Sequence, residues 1–117
     1  MTLPAHIRPV LRVGPGEPAP AGADRLVAGS GVSTVWNAFS DAAGRFHVGH
    51  WSSEPGVRRV SYDETEFCVL LEGRVRLEGQ GGAAEFGPGD AFLVEGGFTG
   101  TWESIGRVSK LYAILEP

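Results

Sequence analysis

Short apolar segments, separated by turn residues, make up most of this chain. Eighteen glycines and eight prolines divide it, and no window of about 12 residues keeps an apolar period of 3.6, so the pattern does not predict helices. Segments typical of strands lie at residues 32–38, 46–51, 57–62, 67–71, 74–78, 91–94 and 110–115. Their regular spacing indicates an all-β fold, either a sandwich or a barrel.

The first 28 residues have a different composition. Prolines at positions 4, 9, 15, 18 and 20 prevent continuous ladder pairing, and the many small residues supply little side chain to bury. We therefore predict an extended N-terminal arm over residues 1–28 and one domain over residues 29–117. Residues 10–13 are apolar enough to add an edge strand to the domain or to a neighbouring chain.

Two of the predicted strands differ in how their faces are covered. Residues 74–78 alternate between charged and apolar side chains, which is typical of a strand with one solvated face. Residues 67–71 are apolar on both faces, with Cys68 and Leu70 on one face and three further apolar side chains on the other. Either the arm or a second copy of the chain must cover the second face. We favour a homodimer, because two-fold dimers are the commonest soluble oligomers.

Length, charge and cysteine content restrict the possible partners. A chain of 117 residues suffices for one modest core, and its formal charge of −4, with scattered basic residues, argues against nucleic acid as a partner. No apolar stretch approaches the roughly 20 residues of a membrane-spanning helix, and the first 20 residues lack the apolar run of a secretory signal. Cys68 is the only cysteine, so no intrachain disulfide forms. We expect a cytoplasmic protein without a membrane partner.

The stretches VRRVSYDETEFCVLLEG and GPGDAFLVEGGFTGTWES have the spacing of two known motifs. In these features the chain resembles the cupin superfamily. The first cupin motif has two histidines, a Glu and, seven residues later, a Gly; Glu66 and Gly73 match its Glu and Gly. The second motif has a Gly, a Pro-x-Gly turn, a third His and an Asn; Gly89 and Gly97 match its glycines.

Further short segments narrow the resemblance to one branch. WSSEPG, FGPGD, GTWE and SKLY, together with the first motif, are similar to the short single-domain cupins related to (S)-ureidoglycine aminohydrolase and to the ethanolamine-utilisation cupins. The resemblance covers residues 49–112. It implies a single-domain jelly-roll barrel, usually dimeric, with a cavity whose walls come from both motifs. Cupins host many unrelated activities, so the fold by itself does not decide the function.

The resemblance also implies four metal-ligand positions, and this chain has lost most of them. They hold Val60, Tyr62, Glu66 and Gly100, of which only Glu66 is a donor suited to a divalent ion and Tyr62 is a poor one. A catalytic metal needs about three protein ligands, so we expect no metal and no other cofactor. Residue 100 should return to the cavity wall, but as glycine it presents no side chain there.

The histidines do not replace the missing ligands. His47 and His50 are three residues apart on a predicted strand and therefore face opposite sides, and His6 lies in the arm. We interpret all three as ordinary polar residues.

The remaining chemistry in the predicted cavity centres on Glu66. If its strand stays extended, Tyr62, Glu64 and Glu66 share one face, although a turn at residues 63–65 would undo that parity. A carboxylic acid in an apolar barrel should have a raised pKa, and beside a phenol it could serve as general acid or base. Glu66 and Tyr62 are therefore the candidate catalytic residues. The alternative is a purely structural carboxylate that is satisfied by Tyr62, Trp102 or a backbone N–H.

Four more side chains are candidate ligand contacts. Cys68 could be a nucleophile, but no His or Lys is predicted beside it and the nearby carboxylate should keep it protonated, so we favour a small buried residue. Trp51 and Trp102 could line a pocket in which a flat or small organic ligand stacks. Lys110 either joins them or covers the barrel edge with its stem and pairs with an acid such as Glu103.

Three hypotheses for the function remain open. The first is a metal-free cupin that binds a small organic metabolite in its barrel. The second is an enzyme, of the hydrolase, lyase or isomerase type, that uses Glu66 for proton transfer. The third is a structural or partner-binding dimeric module whose apolar outer sheet is the functional surface.

Overall fold

A computed structural model of the protein describes residues 2–117 as a curled antiparallel sheet that forms a half-barrel. No helix occurs in this range, so none is present there that could cross a membrane. The all-β prediction is confirmed. The strands are β1 (Glu17–Pro18), β2 (Leu26–Gly29), β3 (Ser33–Ser40), β4 (Phe46–Ser53), β5 (Gly56–Ser61), β6 (Thr65–Gly79), β7 (Gly82–Phe86), β8 (Ala91–Val94) and β9 (Thr99–Leu115).

Two long strands, β6 and β9, pair with each other and organise the sheet. Both bend at the same level, where Gly73 and Gly106 have φ values of 79° and 76° that favour glycine. A Cβ at Gly73 would also overlap the backbone carbonyl of Arg107 on the facing strand. Because of these bends, one half of each strand lies in one wall of the half-barrel and the other half lies in the second wall.

The walls differ in the strands that complete them. The C-terminal half of β9 pairs with β4, which continues through β3 to β1, while β8 pairs with the first half of β6. The N-terminal half of β9 pairs with β5, which continues to β2, and β7 pairs with the second half of β6. We call the group that contains β1, β3, β4 and β8 the first wall, and the group that contains β2, β5 and β7 the second wall.

The hydrophobic core fills part of the space between the two walls. Strand β8 contributes to this core through the alternation of its side chains. Phe92 and Val94 are buried, while Ala91 and Leu93 lie on the opposite face and are exposed. Phe92 stacks on Phe86 of β7, with ring centroids 4.2 Å apart. The core residues are Cys68, Leu70, Val75, Leu77, Phe92, Val94, Trp102 and Val108.

All seven predicted segments correspond to strands, but the extents of the strands differ from the prediction. Strand β8 has the predicted bounds, whereas the segments 67–71 and 74–78 are one continuous strand, β6, through the bend at Gly73. The last strand begins at Thr99 rather than at residue 110, because a polar sequence with two glycines hides its inward alternation. Strand β7 was missed, since its small and exposed residues carry no apolar pattern.

The N-terminal arm is attached to the domain at several points. Its short strands β1 and β2 pair with β3 and β5, and neither was predicted. The edge strand considered for residues 10–13 does not form. Instead His50 Nε2 lies 3.1 Å from the Val10 carbonyl oxygen, and the Arg12 guanidinium lies 3.9 Å from the centroid of the Trp36 ring.

The first part of β6 carries apolar side chains on both faces, as the sequence predicts. Cys68 and Leu70 are buried inward, while Phe67 and Leu71 point outward and are 46% and 45% exposed. The arm does not cover them, because residues 6–10 pack beside Phe39 and Val48 on β3 and β4. An apolar outer surface therefore remains on the first wall.

Gly100 is bare because the packing of strands leaves no room for a side chain. It lies between Val60 of β5 and Gly79 of β6. A Cβ at this position would overlap the backbone carbonyl oxygen of Glu78 and would approach the Phe98 ring to 3.0 Å. Backbone atoms cannot move aside without disturbing the sheet.

We predict that Gly100→Ala destabilises the protein by about 1–3 kcal/mol, the usual cost of forcing atoms into a packed site. Gly87→Ala is the matched control, because its Cβ would meet only the flexible guanidinium end of Arg74. Urea unfolding of both variants measures the difference. Equal free energies of unfolding for Gly100→Ala and the wild type would contradict this explanation.

Candidate functional site

An open cavity of about 350 Å³ lies between the first and second walls. Its size is at the lower end of the range of small-molecule sites, roughly 300–1,000 Å³. Strands β3, β4, β5, β6 and β9 line it, together with Tyr62 in the turn between β5 and β6. The lining residues are Val35, Asn37, His47, Trp51, Arg58, Val60, Tyr62, Glu66, Trp102, Lys110, Tyr112 and Ile114.

A buried ion pair lies at the bottom of this cavity. Lys110 Nζ, from β9, is 2.8 Å from Glu66 Oε2, at the start of β6. The two residues are only 4% and 5% exposed. The same ammonium lies 4.8 Å from the centroid of the Trp51 ring and 4.3 Å from that of Trp102, within the range of cation–π attraction. One carboxylate and two indole rings therefore surround the positive charge.

The ion pair stabilises the charged form of Lys110. Burial disfavours the ammonium, but the Glu66 carboxylate, with smaller contributions from Cys68 and Tyr62, outweighs it, and the pKa of Lys110 is raised above its ordinary value. Lys110 is thus a fixed cation at physiological pH. An amine in this state is not available as a nucleophile.

Trp51 and Trp102 face each other across the two walls. Their ring centroids are 5.5 Å apart and the planes are nearly perpendicular, at 83°. The indole N–H of Trp102 donates to Ser104 Oγ at 3.1 Å, and that hydroxyl pairs with Ser53 at 2.7 Å. Trp102 is therefore satisfied by Ser104 and not by Glu66, which is a correction to one of the alternatives considered.

Cys68 lies behind the cavity and does not line it. It is fully buried, and its Sγ is 3.7 Å from Lys110 Nζ. Burial, more than any neighbour, raises the pKa of the thiol to about 12; Lys110 lowers it and Glu66 raises it further. The thiol is protonated at neutral pH, as expected, but the expectation that no lysine lies beside it is wrong.

The placement of Glu64 differs from the sequence-based prediction, and one of the two roles considered for Lys110 is excluded. Glu64 does not share a face with Glu66, because the chain turns between β5 and β6 at residues 62–64. It lies instead at a surface depression with Arg25 and Arg59, which adjoins the cavity through Arg58 and Tyr62. Lys110 does not cover the barrel edge or pair with Glu103; it points inward to Glu66.

The structure therefore brings five of the predicted site residues to one cavity and excludes two. The five are Trp51, Tyr62, Glu66, Trp102 and Lys110, and the two are Glu64 and Cys68. Among the cavity residues that the sequence analysis missed, Tyr112 donates from its hydroxyl to Asn37 Oδ1 at 2.7 Å. Strand alternation could have found Tyr112 and Ile114, because they follow Lys110 at steps of two.

The residues at the cupin metal positions do not fit a metal ion. Val60 has no donor atom, and Gly100 is not part of the cavity lining and has no space for a side chain. Glu66 is already paired with Lys110. No group of three or more His, Cys, Asp or Glu side chains that could hold an ion occurs among residues 2–117.

His47 and His50 face opposite sides of β4, as predicted. His47 lines the cavity rim, where Nδ1 lies 2.7 Å from Ser40 Oγ and Nε2 lies 3.1 Å from the Gly44 carbonyl oxygen. Both ring nitrogens are therefore engaged within the protein. His50 lies beneath the arm.

We predict that removing one partner of the ion pair costs more than removing both. Lys110→Met and Glu66→Leu should each destabilise the protein by about 3–5 kcal/mol, because each leaves a buried charge unpaired. The double variant should regain most of that loss. Urea unfolding of the four proteins gives the coupling energy.

This coupling should be constant between pH 7 and about 9. The pKa of Lys110 is raised in the folded state, so its stabilisation is fully present below the ordinary lysine pKa of about 10.4 and is lost as pH rises through the higher folded value. Additive effects of the two single substitutions would contradict the pairing.

Comparison with known proteins agrees with this architecture. The model of the EutQ-like cupin domain matches residues 40–112, more than half of the chain. No functionally curated protein matches the sequence.

Three solved structures illustrate the likeness. A protein of unknown function of the DUF861 family from Pseudomonas syringae pv. tomato is 29% identical, with a TM-score of 0.80 over 90% of this chain and 46% of that one. Clostridium difficile EutQ is 12% identical, with a TM-score of 0.65 over 72% and 62% of the two chains. A candidate ethanolamine utilization protein Q from Salmonella typhimurium is 15% identical, with a TM-score of 0.65 over 87% and 98%.

The chain spans less than two thirds of the first two proteins, and the likeness to the two EutQ proteins concerns the fold alone. The domain match covers both motifs and most of the cavity-lining strands. The protein therefore belongs to the family of EutQ-like cupin domains.

Proposed function

We propose that this cupin domain binds a small organic molecule in its cavity without using a metal. The observation that carries the proposal is the composition of the cavity wall. Two indole rings and several aliphatic side chains surround an ion pair whose charges already balance. The open volume next to this pair has the size of a small metabolite.

The chemistry of the wall supports binding more than catalysis. Trp51 is only partly buried, and its indole ring, packed edge-on against the buried Trp102, offers apolar surface whose burial by a ligand is favourable at about 25 cal/mol per Å². The Lys110–Glu66 pair holds these rings in place through its contacts with both. A ligand would therefore meet a surface that is formed before it arrives.

Proton-transfer catalysis is the second candidate. Glu66 and Tyr62 both line the cavity, so a substrate could reach both. Glu66 would have to act as acid or base while paired with Lys110, and burial raises the pKa of Tyr62, which keeps the phenol protonated. A relation to (S)-ureidoglycine aminohydrolase stays a prediction from the sequence motifs, as does the cytoplasmic location. Glu66→Gln that retained turnover of an identified substrate would exclude the acid/base role.

We expect ligands found by thermal-shift screening to change the fluorescence of the cavity tryptophans. A ligand at 100 times its Kd should stabilise the fold by about 2.7 kcal/mol. Trp51→Phe should lose much of the fluorescence change. Trp36→Phe should keep it, because Trp36 lies under the arm and its indole N–H donates to the Gly14 carbonyl.

Two outcomes would contradict binding in the cavity. One is a screen of small acids, amides, sugars and aromatic metabolites that stabilises the protein in no case. The other is a ligand whose fluorescence signal depends on Trp36 and not on Trp51.

We also propose that the domain forms a homodimer through the outer face of the first wall. Phe67, Leu71 and Leu93 are each about half exposed there, and Leu115 continues the patch on β9. Phe67 and Leu93 are direct cross-strand partners, so the patch is continuous. These positions carry no charge, so a second copy could face them without bringing like charges together, and a two-fold interface needs such self-complementarity.

We predict that light scattering gives twice the mass of one chain for the wild type and the mass of one chain for Leu93→Glu. A charge at Leu93 would be buried without a partner in the dimer. Val27→Glu is the control, because Val27 is similarly exposed but lies on β2 of the second wall. A monomeric wild-type protein, or a dimer that Leu93→Glu leaves intact, would contradict this interface.

A further inference from the structure

Arg58 places a charge in the cavity that no described residue balances. Its side chain lines the cavity from β5, and its guanidinium carbon lies 5.5 Å from the centroid of the Trp51 ring. The ion pairs among residues 2–117 do not include it, whereas the other cavity cation, Lys110, has Glu66. The guanidinium thus keeps its donors free on the cavity side.

Tyr62 adds a second free donor near Arg58. Burial is the main cause that raises the pKa of Tyr62, so the phenol is neutral and its O–H is a donor. Arg58 and Tyr62 both line the cavity and the surface depression that adjoins it, so the two groups lie on the same side of the cavity. The hydroxyl of Tyr112, by contrast, is already bonded to Asn37. The donors that remain available therefore lie on the β5 side of the cavity.

The charges of the lining residues sum to a single positive charge. Arg58 and Lys110 contribute +1 each, Glu66 contributes −1 and both tyrosines are neutral, while His47 lies at the rim with both ring nitrogens engaged by Ser40 and Gly44. A guanidinium in a partly enclosed site favours an anion that fits its two parallel N–H donors, as a carboxylate does. The indole rings and Val60 offer no hydrogen-bond acceptor and suit an apolar group.

We propose that the ligand of this cavity is a small organic monocarboxylate. Its carboxylate group binds Arg58 and Tyr62, and its apolar or aromatic body packs against Trp51 and Val60. This inference rests on the proposed binding function and names the class of ligand for the same site. A cationic ligand would face an uncompensated guanidinium, and a dianion would exceed the one free positive charge.

Isothermal titration calorimetry with matched pairs of ligands tests this proposal. The pairs are benzoate and benzamide, phenylacetate and phenylacetamide, and butyrate and butyramide, which differ in charge but hardly in shape. For at least one pair we expect the carboxylate to bind at least about tenfold more tightly than its amide, the usual effect of a hydrogen bond to a charged group.

Variants assign that preference to Arg58. Arg58→Gln should weaken carboxylate binding by at least about tenfold and change amide binding by less than about twofold. Arg58→Lys should restore part of the affinity, since it keeps the charge but loses the paired donors. Arg59→Gln is the matched control, because Arg59 is the neighbouring arginine, is exposed and does not line the cavity.

The results separate this inference from the proposed function. Amides that bind as tightly as carboxylates would overturn the carboxylate inference and leave small-molecule binding intact. Carboxylate binding that Arg58→Gln does not weaken would also overturn it. If no member of any pair binds at about 10 mM, the carboxylate inference fails, and the broader thermal-shift screen decides separately whether the cavity binds any other molecule.

Discussion

The ion pair between Lys110 and Glu66 is the interaction on which the cavity depends. An isolated ammonium in this largely apolar space would lose its hydration without compensation, and the carboxylate at 2.8 Å offsets that loss. The two tryptophans that face each other across the walls contact the same ammonium. The pair and the two indole rings therefore link three strands, β4, β6 and β9.

The same pair explains how a cupin barrel can keep its cavity without metal ligands. In this chain the one family carboxylate, Glu66, is neutralised by an ammonium that comes from β9, outside both motifs. The space for a third ligand at residue 100 is closed by the backbone of Glu78. The cation beside Glu66 is thus the Lys110 ammonium. The remaining open space lies between this ammonium, Arg58 and the indole rings.

Some features of the structure could be predicted from the sequence, and others could not. Alternation and turn residues were enough for the all-β fold and for β8, and the motif spacing placed Tyr62 and Glu66 at one site. The partner of Glu66 could not be predicted, because Lys110 is 44 positions away and only the pairing of β6 with β9 brings them together. The prediction that Glu64 shares a face with Glu66 failed because side-chain alternation applies only within one strand, and the chain turns between β5 and β6.

Arg58 was overlooked for a different reason. Because Arg58 is adjacent to Arg59 in the sequence, the pattern favours exposure of both arginines to solvent. Side chains alternate along a strand, however, so the two arginines lie on opposite faces of β5. One becomes a cavity residue and the other remains in solvent. The cavity therefore contains one balanced ion pair, Glu66 with Lys110, and one cation, Arg58, that the described ion pairs do not include.

Lys110 is the only lysine in the chain, so its charge can be observed without ambiguity. The most direct measurement is an NMR titration of protein labelled with ¹³C at lysine Cε, which follows the protonation of Nζ. If Lys110 is paired with Glu66, its single resonance should stay at the ammonium position at pH values above the ordinary lysine pKa of about 10.4. In Glu66→Gln the resonance should titrate at a lower pH than in the wild-type protein. A resonance that titrates at or below the ordinary lysine pKa in the wild-type protein would contradict the buried ion pair.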